Sequence, residues 1–134
     1  MINIEDSFEF KPNDTIVIGC SSGPDSMALV DMLIKIRGKY NLSLIVAHVN
    51  HNVRKESYEE AEFMEEYCRE NDLAFETMLI EEYGDDNFHN EARNIRYNFF
   101  ESLVHKYHAN YLMTAHHGDD LIESFANKKI KKIF

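Results

Sequence analysis

Ser21-Ser22-Gly23-Pro24-Asp25-Ser26 is a run of small polar residues between an apolar segment, Ile16-Val17-Ile18, and a helix-forming one, Met27-Ala28-Leu29-Val30. A loop of this kind brings several backbone N–H groups to a helix N-terminus, where unpaired donors and the helix dipole favour a phosphate. Two familiar phosphate loops are excluded by the residues themselves. No lysine occurs between Lys11 and Lys35, so there is no Gly-Lys-Ser/Thr ending, and Gly19 and Gly23 cannot supply a three-glycine dinucleotide fingerprint. The run instead carries a carboxylate, Asp25, where a lysine would otherwise stand. An anion site that holds its own carboxylate calls for a cation between the two, and magnesium, which takes oxygen ligands, suits it. An ordinary strand–turn–helix connection accounts for the same residues without any chemistry.

Three more clusters combine polar residue types at useful spacing. In His48-Val49-Asn50-His51-Asn52-Val53-Arg54, strand alternation places His48 and Asn50 on one face, with His51 and Arg54 beyond the strand end. His48 reads equally as a satisfied core histidine, and Arg54 as a solvated one. In Ala92-Arg93-Asn94-Ile95-Arg96-Tyr97-Asn98-Phe99-Phe100, Arg93 and Arg96 share a helical face, directed away from an Ile95–Phe99 stripe. Such a pair can neutralise a polyphosphate or an RNA backbone, or simply pair with Glu91 and its neighbours. In Thr114-Ala115-His116-His117-Gly118-Asp119-Asp120-Leu121-Ile122-Glu123, a helix capped by Asp119 would carry Asp120 and Glu123 on one face beside His116. That cluster fits a transition-metal site, a pocket for a cationic amine, or a capped and solvated helix start. Its spacing does not choose among them.

The elements that must position these clusters are legible from periodicity. Short apolar runs at 15–19, 42–49, 75–80 and 111–115 read as strands buried on both faces. Longer periodic segments between them read as helices. The first covers about 24–37, with Pro24 in the opening turn, and the second about 57–71, opened by the capping box Ser57-Tyr58-Glu59-Glu60. The third covers about 90–108, with Ile95, Phe99, Leu103 and Tyr107 in one stripe, and a fourth begins at Asp119 or Asp120. Alternating strands and helices predict an α/β fold, a parallel sheet with helices on both faces. In such sheets ligands bind beyond the carboxyl ends of the strands, and all four clusters fall there.

Composition sets the surroundings. The chain has 134 residues, a formal net charge of −10 and two cysteines, with no C-x-x-C pair. That pattern fits a reducing, cytoplasmic setting and gives no disulfide framework or zinc site. No apolar run reaches the roughly 20 residues of a membrane span, so no membrane partner is expected. Charge is uneven: residues 56–91 hold fourteen acidic residues against Arg69 alone, whereas 128–134 hold four lysines and no acid. The acidic body should bind RNA weakly by itself. The expected organisation is an N-terminal segment at 1–14, a nucleotide domain at 15–127 and a lysine-rich tail at 128–134. A sheet of this length leaves an edge to be covered by a second copy in a homodimer or by a missing C-terminal portion.

Taken in order, the four clusters resemble the motifs of the tRNA(Ile)-lysidine synthase family, within the N-type ATP pyrophosphatase, or PP-loop, superfamily. The loop at 21–26 resembles Ser-Gly-Gly-x-Asp-Ser, and 48–54 resembles His-Val-Asn-His-Gly-Leu-Arg. The segment at 92–100 resembles Ala-Arg-x-x-Arg-Tyr-x-Phe-Phe, and 114–123 resembles Thr-Ala-His-His-x-Asp-Asp-x-x-Glu. Ser22 and Asn52 stand where the family has glycine, and 124–134 do not resemble its next segment. The resemblance implies an adenine nucleotide alpha-hydrolase-like, Rossmann-like fold. It also implies an ATP- and Mg2+-dependent ligase that joins lysine to the wobble cytidine of tRNA(Ile) through an adenylated intermediate. It assigns Ser21, Ser22, Gly23, Pro24, Asp25, Ser26 and His48 to ATP, and Asp25 and Asp120 to magnesium. It assigns His116, Asp120 and Glu123 to lysine, and Arg54, Arg93 and Arg96 to tRNA or phosphate, with Asp25, Asp120 and Arg93 taking part in catalysis. The alternatives are another PP-loop enzyme, adenylating tRNA or forming amides, and a non-catalytic nucleotide-binding module.

Overall fold

The computed structural model of the chain describes residues 10–20, 24–50, 56–79, 88–114, 121–124 and 129–132. Strands β1 (Thr15–Gly19), β2 (Ser43–Asn50), β3 (Ala74–Leu79) and β4 (Tyr111–Thr114) alternate with helices α1 (Pro24–Tyr40), α2 (Glu56–Glu70) and α3 (Phe88–Tyr107). Two short strands, β5 (Leu121–Ser124) and β6 (Lys129–Lys132), complete a six-stranded sheet in the order β3-β2-β1-β4-β5-β6. The first four strands are parallel, as the sequence pattern implies; β5 and β6 are antiparallel.

Alternation along the strands divides the core in two. Ile16 and Ile18, Leu44 and Val46, and Met113 point to the face covered by Leu29, Val30 and Leu33 of α1 and Met64 and Cys68 of α2. Val17, Ile45, Ala47, Val49 and Leu112 point to the other face, against Phe100, Leu103 and Val104 of α3. Each central strand is therefore mostly apolar because both of its faces are covered. The sheet is two-sided, as expected.

Each helix-to-strand turn uses the same device. Asn41, Asp72 and His108 adopt positive φ, at 55°, 55° and 53°. In each case the following residue's N–H reaches back to the helix: Leu42 to the Arg37 carbonyl, Leu73 to Cys68 and Ala109 to Val104. These are Schellman caps built on non-glycine residues, which satisfy the last free carbonyls and reverse the chain within a few residues. Asn110 then clamps the start of β1, its N–H donating to the Thr15 carbonyl and its side-chain oxygen accepting from the Thr15 N–H. Arg37 ties α1 to the end of α2, donating to the carbonyls of Asn71 and Asp72 at 2.8 and 3.1 Å.

Three expectations are corrected. The helix expected from Asp119 or Asp120 is strand β5, which pairs with β4 as Leu112 opposite Glu123 and Met113 opposite Ile122. A strand there supplies hydrogen-bond partners to the open edge of β4, which a helix would leave unpaired. Part of the lysine-rich segment, expected as a tail, forms β6 and pairs with β5. The buried ridge of α3 is Phe100, Leu103 and Val104, whereas Ile95, Phe99 and Tyr107 of the expected stripe are only partly buried.

Candidate functional site

The parallel strands end together at one rim of the sheet, and α1 and α3 begin there. β1 leaves the sheet through Gly19 and Cys20, and α1 starts at Pro24. Its first-turn amides have no helical partner, and they stand at the positive end of a 17-residue helix. Ser26, expected in the anion loop, is buried at this end of α1. Pro24 and Asp25 occupy its first two backbone positions. Ser21, Ser22 and Gly23 lie outside the described residues.

The other wall of the rim is set by close packing. A Cβ on Gly19 would lie 2.8 Å from two ring atoms of Phe100 and 2.9 Å from the Thr114 methyl. Such distances are below normal carbon contact, so only glycine lets α3 seat this closely on β1 and β4. Phe100 and Thr114 are both buried at this seat. Arg96, one turn before Phe100 and seven residues before Leu103, therefore lies on the packed side of α3 rather than on an outward face. This corrects the expected orientation. Its Nε is buried and finds no hydrogen-bond partner among the described residues, while its guanidinium sits 5.6 Å from the Tyr97 ring centroid. An orphaned guanidinium N–H in an apolar setting is costly unless an acceptor arrives, and an anion bound at the rim would supply one.

His48, near the end of β2, shares the Leu44–Val46 face and is buried. Its Nδ1 lies 2.9 Å from the carbonyl oxygen of Cys20. A carbonyl only accepts, so Nδ1 carries the proton in this bond. The backbone N–H of Cys20 donates to Ala47 at 2.9 Å, and its Sγ lies 4.0 Å from Sδ of Met27 on α1. Burial, and then the nearby Cys20, push the Cys68 thiol up to about 12, so it is a packing group rather than a nucleophile.

The remaining expected residues fall into two groups. Arg54, His116 and Asp120 lie outside the described residues. Arg93 is placed on α3, three residues before Arg96, and Glu123 in β5 opposite Leu112, two residues back from the end of β4. Glu123 thus stands on a strand rather than on the helix expected for it. Sequence reasoning missed Gly19 and Thr114, whose only signal is small size where a strand end meets an aromatic helix.

A separate cleft of about 680 Å3 opens at the opposite rim, between Thr15, Arg37, Ser43, Asp72, Ala74 and Tyr107. It lies among helix C-termini, where the dipole disfavours anions, and Arg37 there is already engaged with two carbonyls. Beside it Glu76 accepts from Lys106 at 2.7 Å and from Tyr107 at 2.6 Å. The Lys106 bond, and then the Tyr107 bond, hold the Glu76 carboxyl below its usual range. These contacts tie α3 to β3 and are structural.

Comparison with known proteins places this geometry. Residues 2–131 match the PP-loop domain family. The chain is 39% identical over 123 residues to the tRNA(Ile)-lysidine synthase of Enterococcus faecalis, covering 91% of the chain and 27% of that protein. It is 42% identical over 123 residues to the tRNA(Ile)-lysidine synthase of Bacillus subtilis, covering 87% of the chain and 26% of that protein. Thus the chain spans about a quarter of the length of these relatives. Among solved structures, the U34-tRNA thiolase NcsA of Methanococcus maripaludis with its [4Fe-4S] cluster superposes with a TM-score of 0.67. That likeness covers 80% of the chain and 39% of the thiolase at 18% identity, and it shows the fold alone.

Proposed function

The chain belongs to the PP-loop domain family, and on that premise we propose that it is the ATP-binding part of a tRNA(Ile)-lysidine synthase. The observation that carries the reading is the convergence at one rim of the α1 N-terminus, buried Ser26 and the Nε of Arg96, which has no partner among the described residues. In this reading the backbone N–H groups of residues 22, 23, 25 and 26 hold the pyrophosphate portion of ATP, Pro24 having none to give, and Arg96 donates to a phosphate oxygen. We assign Asp25 to magnesium, whose oxygen preference fits a carboxylate beside phosphates. The metal supplies charge neutralisation as pyrophosphate leaves. Fixed amide dipoles of the loop stabilise the same developing charge without reorganising.

The acceptor half of the reaction rests on resemblance. The ring carbonyl oxygen of the wobble cytidine attacks the α-phosphate and is adenylated, and the lysine amine then displaces AMP. His116, Asp120 and Glu123 are the residues we assign to the lysine side, with Asp120 also assigned to magnesium. Arg54 and Arg93 are assigned to tRNA or phosphate, and His48 to the support of the ATP loop through Cys20 rather than to contact with ATP. The body of the chain is acidic, so tRNA binding by the chain alone is expected to be weak. Iron–sulfur chemistry of the kind named for the thiolase is not proposed, because the two cysteines here are both buried in the core.

Calorimetric titration with ATP tests the reading. The unaltered chain is expected to bind ATP only with magnesium, Asp25→Ala to lose that metal dependence, and Arg96→Ala to weaken binding about tenfold or more. Binding unaffected by either substitution would remove both residues from the site.

A further inference from the structure

We infer that His48 is a positioning residue for the anion loop, acting through the carbonyl of Cys20 rather than by touching ligand. The inference rests on reading 21–26 as that loop. Cys20 is the residue at which the chain leaves β1, and it is held on three sides. Its N–H is bonded to Ala47 of β2, its carbonyl accepts from His48 Nδ1 at 2.9 Å, and its Sγ meets Met27 Sδ at 4.0 Å. Cys20 precedes the loop and Met27 follows it. The entrance and exit of the loop are thus joined to each other and to the end of β2.

The imidazole is the member of this set with a chemical requirement. A buried carbonyl without a donor is unfavourable, and here a buried side chain supplies one. The bond fixes the neutral ring as the Nδ1–H tautomer and leaves Nε2 as an acceptor. A preorganised loop must hold its amides in place before the anion arrives, which is the role such a strap performs. The side chain of residue 48 therefore sets the direction in which the backbone departs from β1.

The tautomer can be read directly in the unaltered chain. Nitrogen-15 spectra of labelled histidine are expected to show His48 protonated at Nδ1 at neutral pH; protonation at Nε2 alone would overturn the inference. Substitutions then separate the two ring nitrogens. The side-chain amide of Asn places its N–H where Nδ1 stands, whereas that of Gln reaches the Nε2 position. In ligand-free protein, amide exchange at Cys20 is expected to rise about tenfold in His48→Gln and His48→Leu and to stay near the unaltered rate in His48→Asn. Exchange at Val17, in the middle of β1, should not change in any of them. Equal rates in all three variants, or protection restored by Gln and not Asn, would overturn the inference. Binding adds a readout that simple destabilisation does not move. Magnesium pyrophosphate should bind His48→Leu about tenfold more weakly, while adenosine binds it as it binds the unaltered chain; loss of adenosine binding would mean that the ring contacts the base. Failure of the unaltered chain to bind either probe counts against the nucleotide reading, and the ligand-free exchange still decides the strap.

Discussion

The two rims of the sheet are built on opposite terms. At the rim where helices return to strands, the connections are two or three residues long, at 41–42, 71–73 and 108–110. Each is closed by a backbone cap on Asn41, Asp72 or His108. At the rim where strands lead into helices, the connections are four, five and eight residues long, at 20–23, 51–55 and 80–87. The first rim satisfies its own backbone groups. The second brings together the start of α1, an arginine nitrogen without a partner among the described residues and a glycine that admits no side chain. The contrast teaches where a nucleotide can be accommodated: the first rim is closed by its own backbone caps, and the second gathers a helix N-terminus and an arginine.

The largest effect expected from breaking this arrangement comes at the seat of α3. Phe100→Ala removes a fully buried ring and should destabilise the chain by about 3–5 kcal/mol. It should also abolish nucleotide binding through loss of the Arg96 position, measured by urea unfolding and calorimetry. Gly19→Ala attacks the same seat from the strand. Its Cβ meets a ring that cannot withdraw, so a loss of about 1–3 kcal/mol and weakened ATP affinity are expected.

Changes at the capped rim should move stability without moving affinity. His108→Gly relieves a left-handed residue and should raise the urea midpoint, by about 1 kcal/mol at most because glycine also frees the unfolded chain. Asn41→Gly should gain less, since it also removes the 2.6 Å bond from Asn41 Nδ2 to Asn13 Oδ1. A fall in ATP affinity in either variant would mean that the rims are not independent.

Two smaller effects sharpen the picture. Thiol reagents should label neither cysteine at neutral pH until the chain unfolds, because both are buried and the Cys68 thiol is held up to about 12. The Glu76 carboxyl is lower in the folded than in the unfolded chain. Its contribution is therefore present above the ordinary glutamate range and is lost as pH falls through the folded value. Glu76→Gln should flatten the acid limb of a thermal-stability profile slightly, the more so at low salt, and leave ATP binding alone.

The strands and helices of the parallel part were legible because covering both faces makes β1, β2 and β4 largely apolar while α1 to α3 keep helical periodicity. Ser26 and His48 were placed by the same reasoning, one at a helix start and one at a strand end. Arg96 was assigned to the wrong side of α3 because the ridge is centred on Phe100, and that centring depends on Gly19, which lies far away in sequence. The segment after Thr114 was read as a helix from its charged start. Its state is decided by the open edge of β4, a tertiary fact that no local pattern carries. Schellman caps on Asn, Asp and His were invisible for a related reason, since the residues expected there are glycines.

The most direct test is to follow backbone amide signals of the labelled chain as magnesium and ATP are added. The account predicts shifts at Gly19, Cys20, Ser26, Met27, Arg96 and Thr114, with Arg37, Ser43, Asp72 and His108 unmoved. Shifts confined to the second group would put the ligand in the cleft at the capped rim and contradict the assignment of the site.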